Sequence, residues 1–269
     1  MKEIPISQEN EFLDFLNAKI NRADYRNKYL VKTLDGIFGR GEIPITPDTI
    51  VITENDDWIL YIQTNGQLFL YGAYNEALLQ KLATRITLQN LRNYQIMGKY
   101  ELVYKLFDIQ SIKEFVVIKD RYFYQLNDTS MLLPSLSNTK TEPGDLNELT
   151  QMMLKYYEEE YQGERNKTEA QILPVIKKHI DSQSIWVFRE NNTIKSFCTI
   201  INPDIGIIYT SSDFREQGIA KRLLSTCSRI LFELNNVSYL MTDYSNEASN
   251  KLCRDIGYEM FYKHSYIKM

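Results

Sequence analysis

Between Tyr209 and Leu224 the chain reads YTSSDFREQGIAKRLL, a strand-like stretch that passes through a short polar loop straight into a helical one. The loop carries Arg215-x-x-Gly218-x-Ala220, which suits an anion. The first turn of a helix has N–H groups without internal partners and a partial positive charge, so a pyrophosphate fits against it. Gly218 lets phosphate oxygens approach where a Cβ would otherwise stand, and Ala220 is small for the same reason. Arg215, Lys221 and Arg222 are placed to add charge-assisted contacts. The same residues also describe a plain strand–helix turn, with glycine for packing and a solvated basic face, so the context has to decide.

That context lies beyond the next strand, in Asn246-Glu-Ala-Ser-Asn-Lys-Leu-Cys253-Arg-Asp-Ile-Gly257-Tyr258. The pair of segments resembles the GNAT superfamily of acyl-CoA dependent N-acetyltransferases, over about Asp145 to Met269. The family's phosphate loop reads R/Q-x-x-G-x-G/A, matched by Arg215, Gly218 and Ala220. Its later segment reads N-x-x-(A/S)-x-x-x-Y-x-x-x-G-(F/Y), matched by Asn246, Ser249, Gly257 and Tyr258. The resemblance implies acetyl-CoA as acyl donor. The backbone of Arg215, Glu216, Gln217, Gly218, Ile219 and Ala220, with Lys221, would grip its pyrophosphate. The strand edge Ile208, Tyr209 and Thr210 would pair with the pantetheine arm, and Asn246, with Ser249 beside it, would hydrogen-bond along that arm.

One position departs from the family. Where most members have a tyrosine that protonates the leaving thiolate, this chain has Cys253. A free thiol, with a pKa of about 8.5, can in principle return that proton; a small buried hydrophobe is the other reading. Tyr244, Tyr258 or a water are further donors. The acceptor amine must lose a proton before it attacks, and the oxyanion wants a backbone N–H, expected around Tyr209 and Thr210. Some family members place a glutamate on the strand before the asparagine; here that register holds Met241, and Asp243 is the nearest carboxylate. Glu158, Glu159 and Glu160 are other candidates for the base, and Asp243 and Glu160 are the two carried forward, acting through a water.

Other chemistries lack their parts. His179 and His264 are the only histidines, neither in HExxH, so catalytic zinc and a Ser-His-Asp triad have no basis. Cys198, Cys227 and Cys253 form no CxxC, GxxxxGK[ST] is absent, and direct acyl transfer needs no metal. A formal charge of -4 does not mark a nucleic-acid or anionic-membrane binder. No apolar run of membrane-spanning length occurs, and MKEIPISQENEF is unlike a signal peptide, so the expectation is a soluble, cytoplasmic protein.

Two ordinary cores suit 269 residues, 43% of them hydrophobic. The stretch 127–144, rich in Ser, Thr, Asn and Pro, is read as a linker between domains 1–126 and 145–269. After it, Asp145 and Glu148 form a capping-box pattern opening a helix over DLNELTQMMLKYYEEEYQ, and Thr168 with Gln171 hints at another, with Pro174 inside it. A hairpin turning at Asn191-Asn192 follows, then strand 205–210. Next comes a helix with Ile219, Leu223, Cys227, Ile230 and Leu234 on one face, then strand 237–242, a helix from about Glu247 to Asp255, and a final strand from Tyr258.

The first half is expected to run from a helix over about Asn10 to Leu34 through strands TIVITE, WILYIQT and QLFLYG. Helix Asn75 to Asn90, strand YQIM, helix KYELVYKLF and strand FVVIK complete it. This repeats the second half's order of elements, as tandem GNAT proteins with a degenerate first repeat do. Its counterpart of the phosphate loop, from Tyr71, lacks the pattern, which suggests a role in shaping the acceptor cleft or an interface; an unrelated α/β scaffold is the alternative.

The fold class is thus α/β, a mixed sheet in a GNAT-like domain preceded by a second α/β, degenerate GNAT-like, domain. The function is transfer of an acetyl group to a primary amine of a small molecule or peptide. The competitors are an acyl-CoA-binding sensor without turnover and a nucleotide-binding domain using the same helix start. The 19 tyrosines can line a cleft or a homodimer contact as well as fill a core.

Overall fold

The structure, a computed structural model, describes residues 1–269 except 42, 162, 164 and 165. The chain packs as two compact units. The first comprises Met1–Phe123, Asp243–Ser245 and Phe261–Met269, and the second Tyr124–Thr242 and Asn246–Met260.

In the first unit, β1 (Lys2–Pro5), β2 (Ile50–Glu54), β3 (Asp57–Gln63) and β4 (Gln67–Gly72) form an antiparallel run. β5 (Gln95–Lys99) lies parallel to β4, and β11 (Glu259–Lys268), the last strand of the chain, pairs antiparallel with β5 from His264↔Lys99 to Lys268↔Gln95. The middles of β2, β3 and β4 are near-continuous apolar runs because both faces are covered. Ile50, Ile52, Tyr61, Leu68 and Leu70 meet α3 (Glu76–Arg85) and α4 (Tyr100–Ile109) in one core, whereas Val51, Leu60, Ile62 and Phe69 meet α1 (Glu9–Lys19) and α2 (Lys28–Leu34) in the other. The expected helix from Asn10 to Leu34 is therefore two. Asp24 ends the interruption by accepting from the amide of Arg26 at 2.9 Å, the competition that a short polar side chain offers to a continuing helix.

In the second unit, β7 (Ile185–Glu190), β8 (Thr193–Ile201) and β9 (Asp204–Thr210) are antiparallel, and β10 (Ser238–Asp243) runs parallel to β9. The β7–β8 turn has Asn191 and Asn192 at φ 52° and 60°, the left-handed pair such a two-residue hairpin needs. α5 (Leu146–Tyr161) and α6 (Glu169–Asp181) pack Leu149, Met153, Ile172 and Ile176 against Phe197 and Tyr209. α7 (Ile219–Asn235) buries Leu223, Cys227 and Leu231, and α8 (Glu247–Asp255) precedes β11. Leu234, expected on the buried face of α7, is 68% exposed; the i, i+4 step from Cys227 reaches Leu231 instead.

One cap lies earlier than expected. The capping box of α5 lies three residues earlier, with Glu142 as cap and Asp145 reaching back to its amide at 2.7 Å, while Glu148 accepts from the amide of Ile194. Gln162, where that helix was expected to end, lies outside the described residues. Residues 127–144 fall within the second unit, where Val187 N–H donates to Thr139 O at 2.8 Å and Leu136 N–H to Thr226 Oγ1 at 3.0 Å. Residues 261–269 fall within the first. Thr168 and Gln171 form the capping box of α6, and the helix continues through Pro174.

The element order repeats: β2-β3-β4-α3-β5-α4-β6, where β6 is Val116–Leu126, matches β7-β8-β9-α7-β10-α8-β11, each set preceded by two helices. β1 pairs with β2, and Lys140 makes a bridge to Trp186 at the corresponding edge of β7.

Candidate functional site

β8 covers one edge of β9, and the other edge is open. Ser211 N–H donates to Lys195 O at 3.0 Å, and the Tyr209 carbonyl accepts from Ser196 Oγ at 2.8 Å, so both point toward β8. Alternation along a strand then turns the amides of Ile208 and Thr210 to the opposite edge. β10 meets that edge, among the described pairings, only at Tyr239↔Asp204. Beyond Asp204 the two strands part. The N–H available to an oxyanion is thus that of Thr210 or Ile208, while the amide of Tyr209, named with Thr210 from the sequence, faces β8.

At the end of this open edge a loop over residues 211–218 leads into α7. Glu216 and Gly218 both stand in the left-handed region, at φ 61° and 73°. Gly218 is the residue before the helix, and a Cβ built on it would find no atom within 4 Å, so the space beside it is clear. Among the described residues none of the amides from Glu216 to Lys221 donates to a backbone carbonyl, and no side chain caps the helix. Six N–H groups at the positive end of a seventeen-residue helix are therefore without a backbone acceptor, next to that space. This cradle fits a diphosphate, and with the open edge of β9 it fits coenzyme A.

Arg215 is placed differently from the expectation that it contacts phosphate. Its Nε donates to Thr210 O at 3.0 Å, and its Nη2 donates to Glu159 on α5. Its guanidinium lies 5.6 Å from the centre of the Tyr209 ring. The Tyr209 hydroxyl also donates to Glu159, at 2.8 Å, and burial together with that carboxylate pushes the phenol up to about 12. The Arg215 charge is thus directed back over the strand. Arg222 stacks over Phe188 at 5.4 Å, and Lys221, in the first turn of α7, makes no ion pair among the described residues. Since Arg215 already satisfies the Thr210 carbonyl, Ile208 is the residue on the open edge with both its N–H and its C=O free of β8.

Glu159, rather than Glu160, is the carboxylate brought to the strand. Leu149, Met152, Tyr156 and Glu159 follow the three–four spacing of one helix face, and the first three pack toward Tyr209. That periodicity was the signal available to single out Glu159.

Asn246 caps α8: its Oδ1 accepts from the Ser249 amide at 3.0 Å, which leaves its Nδ2 without a partner among the described residues. Asn250, one turn on, is 4% exposed and accepts from Tyr124 and Thr242, tying α8 to β10 and to the end of β6. Cys253 is 2% exposed, and burial pushes its thiol up to about 12. A thiol so placed is a poor source of a proton for a departing thiolate, which favours the buried-hydrophobe reading of Cys253 over the donor reading. Tyr258 is equally buried, its hydroxyl between Ser228 and Ser238 at 2.8 and 2.7 Å. Asp243 falls in the first unit, 2.8 Å from Lys119. Burial raises its pKa, but Lys119 and the amide and hydroxyl of Ser245 together hold it below the usual value. Tyr244, also in the first unit, is 53% exposed.

The first unit has the counterpart strands without the counterpart site. β4 and β5 stay paired from Gln67↔Gln95 through Leu70↔Gly98, so tightly that a Cβ on Gly98 would stand 2.0 Å from Leu70 O. The connection into α3 is only residues 73–75, and Asn75 Oδ1 caps that helix through the Leu78 amide at 3.1 Å. Neither an open edge nor a run of free amides is present there among the described residues.

Residues 146–258 match the Acetyltransferase (GNAT) family. No curated protein matches the chain. Two solved structures share its fold across both units. An acetyltransferase from the GNAT family of Colwellia psychrerythraea is 15% identical, with 100% of this chain and 98% of that one covered at a TM-score of 0.55. A GCN5-related N-acetyltransferase from Sphaerobacter thermophilus is 13% identical, with 94% and 88% covered at a TM-score of 0.56. No helix among the described residues is long and apolar enough to cross a membrane.

Proposed function

We propose that this chain, whose carboxyl-terminal domain is of the GNAT acetyltransferase family, moves an acetyl group from acetyl-CoA to a primary amine of a small molecule or peptide by direct transfer. The observation that carries this is the parting of β9 from β10 beyond Asp204, next to the uncapped start of α7. Acetyl-CoA is the donor substrate and supplies the thioester carbonyl. The amides from Glu216 to Lys221 receive its diphosphate, with Lys221 as the nearby cation. Ile208 pairs with the pantetheine arm through its N–H and C=O, Asn246 Nδ2 donates along that arm, with Ser249 behind it, and the Thr210 amide steadies the oxyanion.

An ammonium cannot attack, so the amine first gives up a proton. Asp243 is held low beside Lys119 and is a poor base, and Glu159 is engaged by Arg215 and Tyr209, so we assign the proton, through a water, to Glu160, the next residue of α5 and the other candidate from the sequence. Proton return to the coenzyme thiolate falls to solvent, given the burial of Cys253. Glu160→Gln is expected to remove the acid limb of the pH–rate profile and lower kcat about tenfold or more. Asp243→Asn is expected to keep that limb, and the reverse pattern would exchange the two assignments.

The buried Cys253, standing where a tyrosine donor is usual, favours a second reading, an acyl-CoA sensor with little turnover. Purified protein supplied with acetyl-CoA and a panel of primary amines is expected to release coenzyme A thiol only when an amine is present. Tight acetyl-CoA binding without release on any amine would give the sensor preference, and tighter binding of ADP or NAD than of coenzyme A would favour a nucleotide site.

A further inference from the structure

We propose that Glu159 is a positioning residue for the donor loop: it fastens Arg215, and with it residues 211–218, to the last residue of β9, so that the amides opening α7 are set before coenzyme A arrives. The inference rests on the reading of those amides as the donor site. Its ground is that one guanidinium is held at three points of the same unit. Nε binds Thr210 O at 3.0 Å, the cationic plane lies over Tyr209 at 5.6 Å, and Nη2 binds Glu159. Glu159 is itself fixed by the Tyr209 hydroxyl at 2.8 Å, and the Tyr209 ring is only 6% exposed.

An isolated pair at this exposure, with side chains 45% and 44% accessible, would contribute little. Here the carboxylate has a buried anchor, and the arginine has a carbonyl and a ring to complete its shell, so the arrangement acts as a network. The loop needs such a tie. Two of its residues, Glu216 and Gly218, are left-handed, one of them not glycine, and among the described residues the amides from Glu216 to Lys221 have no backbone acceptor, so the backbone bonds of the loop are those of Ser211 to Lys195, Phe214 to Ser211 and Arg215 to Ser212 before that stretch and of Arg222 to the Gly218 carbonyl after it. Ordering that loop in advance spares the ligand the entropy of doing so.

The sign of one measurement separates this from the simpler idea that Arg215 serves phosphate directly. Glu159→Ala and Arg215→Ala are titrated with coenzyme A by calorimetry, and amide exchange is followed over residues 211–221. Glu159→Ala is expected to weaken coenzyme A binding about three- to tenfold, to speed exchange in 211–221, and to raise KM for acetyl-CoA more than it lowers kcat. The double variant is expected to be no weaker than Arg215→Ala, because both changes undo one tie. Unchanged or tighter affinity in Glu159→Ala overturns the proposal, since an arginine released toward phosphate would then compensate. If the unaltered protein does not bind coenzyme A, the donor reading falls by itself. Exchange then still decides the tie: faster exchange in Glu159→Ala supports it, and equal protection refutes it.

Discussion

Gly218→Val is expected to abolish measurable coenzyme A binding while the protein stays folded. The backbone at Gly218 sits at φ 73° and ψ 5°, where an L side chain costs about 1–2 kcal/mol and a β-branched one is the least comfortable. That is a tolerable loss for a protein of ordinary stability. No atom of the protein lies within 4 Å of the added Cβ, so the fold loses no packing. The valine methyls would instead occupy the clear space in front of the amides from Gly218 to Lys221, where a diphosphate has to come within hydrogen-bond reach. A loss of about a hundredfold or more in affinity, near 2.7 kcal/mol, is expected from calorimetric titration, against one coenzyme A bound per unaltered chain. Thermal unfolding of the same samples shows whether the fold survives. Undiminished affinity in a folded variant would remove the helix start from the donor site. Two molecules bound per chain would contradict the closed β4–β5 edge of the first unit.

The second large effect belongs to the first unit and to acid. His264, on β11, is 3% exposed, and burial, aided by the nearby charge of Arg121, pushes its pKa down to about 3. Its Nε2 shares a hydrogen bond with the Tyr71 hydroxyl at 3.1 Å, and the Tyr29 ring packs 4.7 Å away. The unfolded chain takes up a proton here at about pH 6.5, whereas the folded one does not until far lower. Stability that is complete above about pH 6.5 is therefore lost as the pH falls toward 3, at about 1.4 kcal/mol per pH unit. By pH 4 the loss from this one group is about 3 kcal/mol. His264→Gln keeps a polar partner for Tyr71 and does not titrate. Denaturant unfolding at pH 7 and pH 4 is expected to show a smaller acid loss in that variant by this amount. Equal losses in both proteins would mean that His264 reaches water when folded. Since β11 pairs with β5 through His264↔Lys99, acid would act on an interior strand of the sheet.

Much of the proposed donor site was legible because it is local. Arg215, Gly218 and Ala220 lie within six residues, and a strand followed by a polar loop and an amphipathic stretch already implies a helix start with free amides. The caps at Asn75 and Thr168 and the Asn191-Asn192 turn are local in the same way, each cap being one side chain acting on a backbone three residues away and the turn two adjacent residues that tolerate a left-handed backbone. Repetition of element order was also visible, since it needs only the sequence of elements. The sequence left choices open where they depended on partners far along the chain. Arg215 reads from the sequence as a further contact to phosphate, and its tie to Glu159, 56 residues earlier, is visible only in the structure. Cys253 reads as either a proton donor or a small buried hydrophobe, and its burial comes from packing that no local pattern records.

The residues by themselves determined that a helix start with free amides follows strand 205–210, that Gly218 stands there without a Cβ, and that the segments around it resemble those of GNAT acetyltransferases. Only the tertiary structure decided where β9 and β10 separate, which cation turns away from the site, and that the last strand of the chain serves the first unit. The reason is physical. Backbone conformation near a cap or a turn is governed by neighbours within a few bonds, whereas strand pairing, burial and the direction of a long side chain are settled by contacts that exist only once distant segments have met.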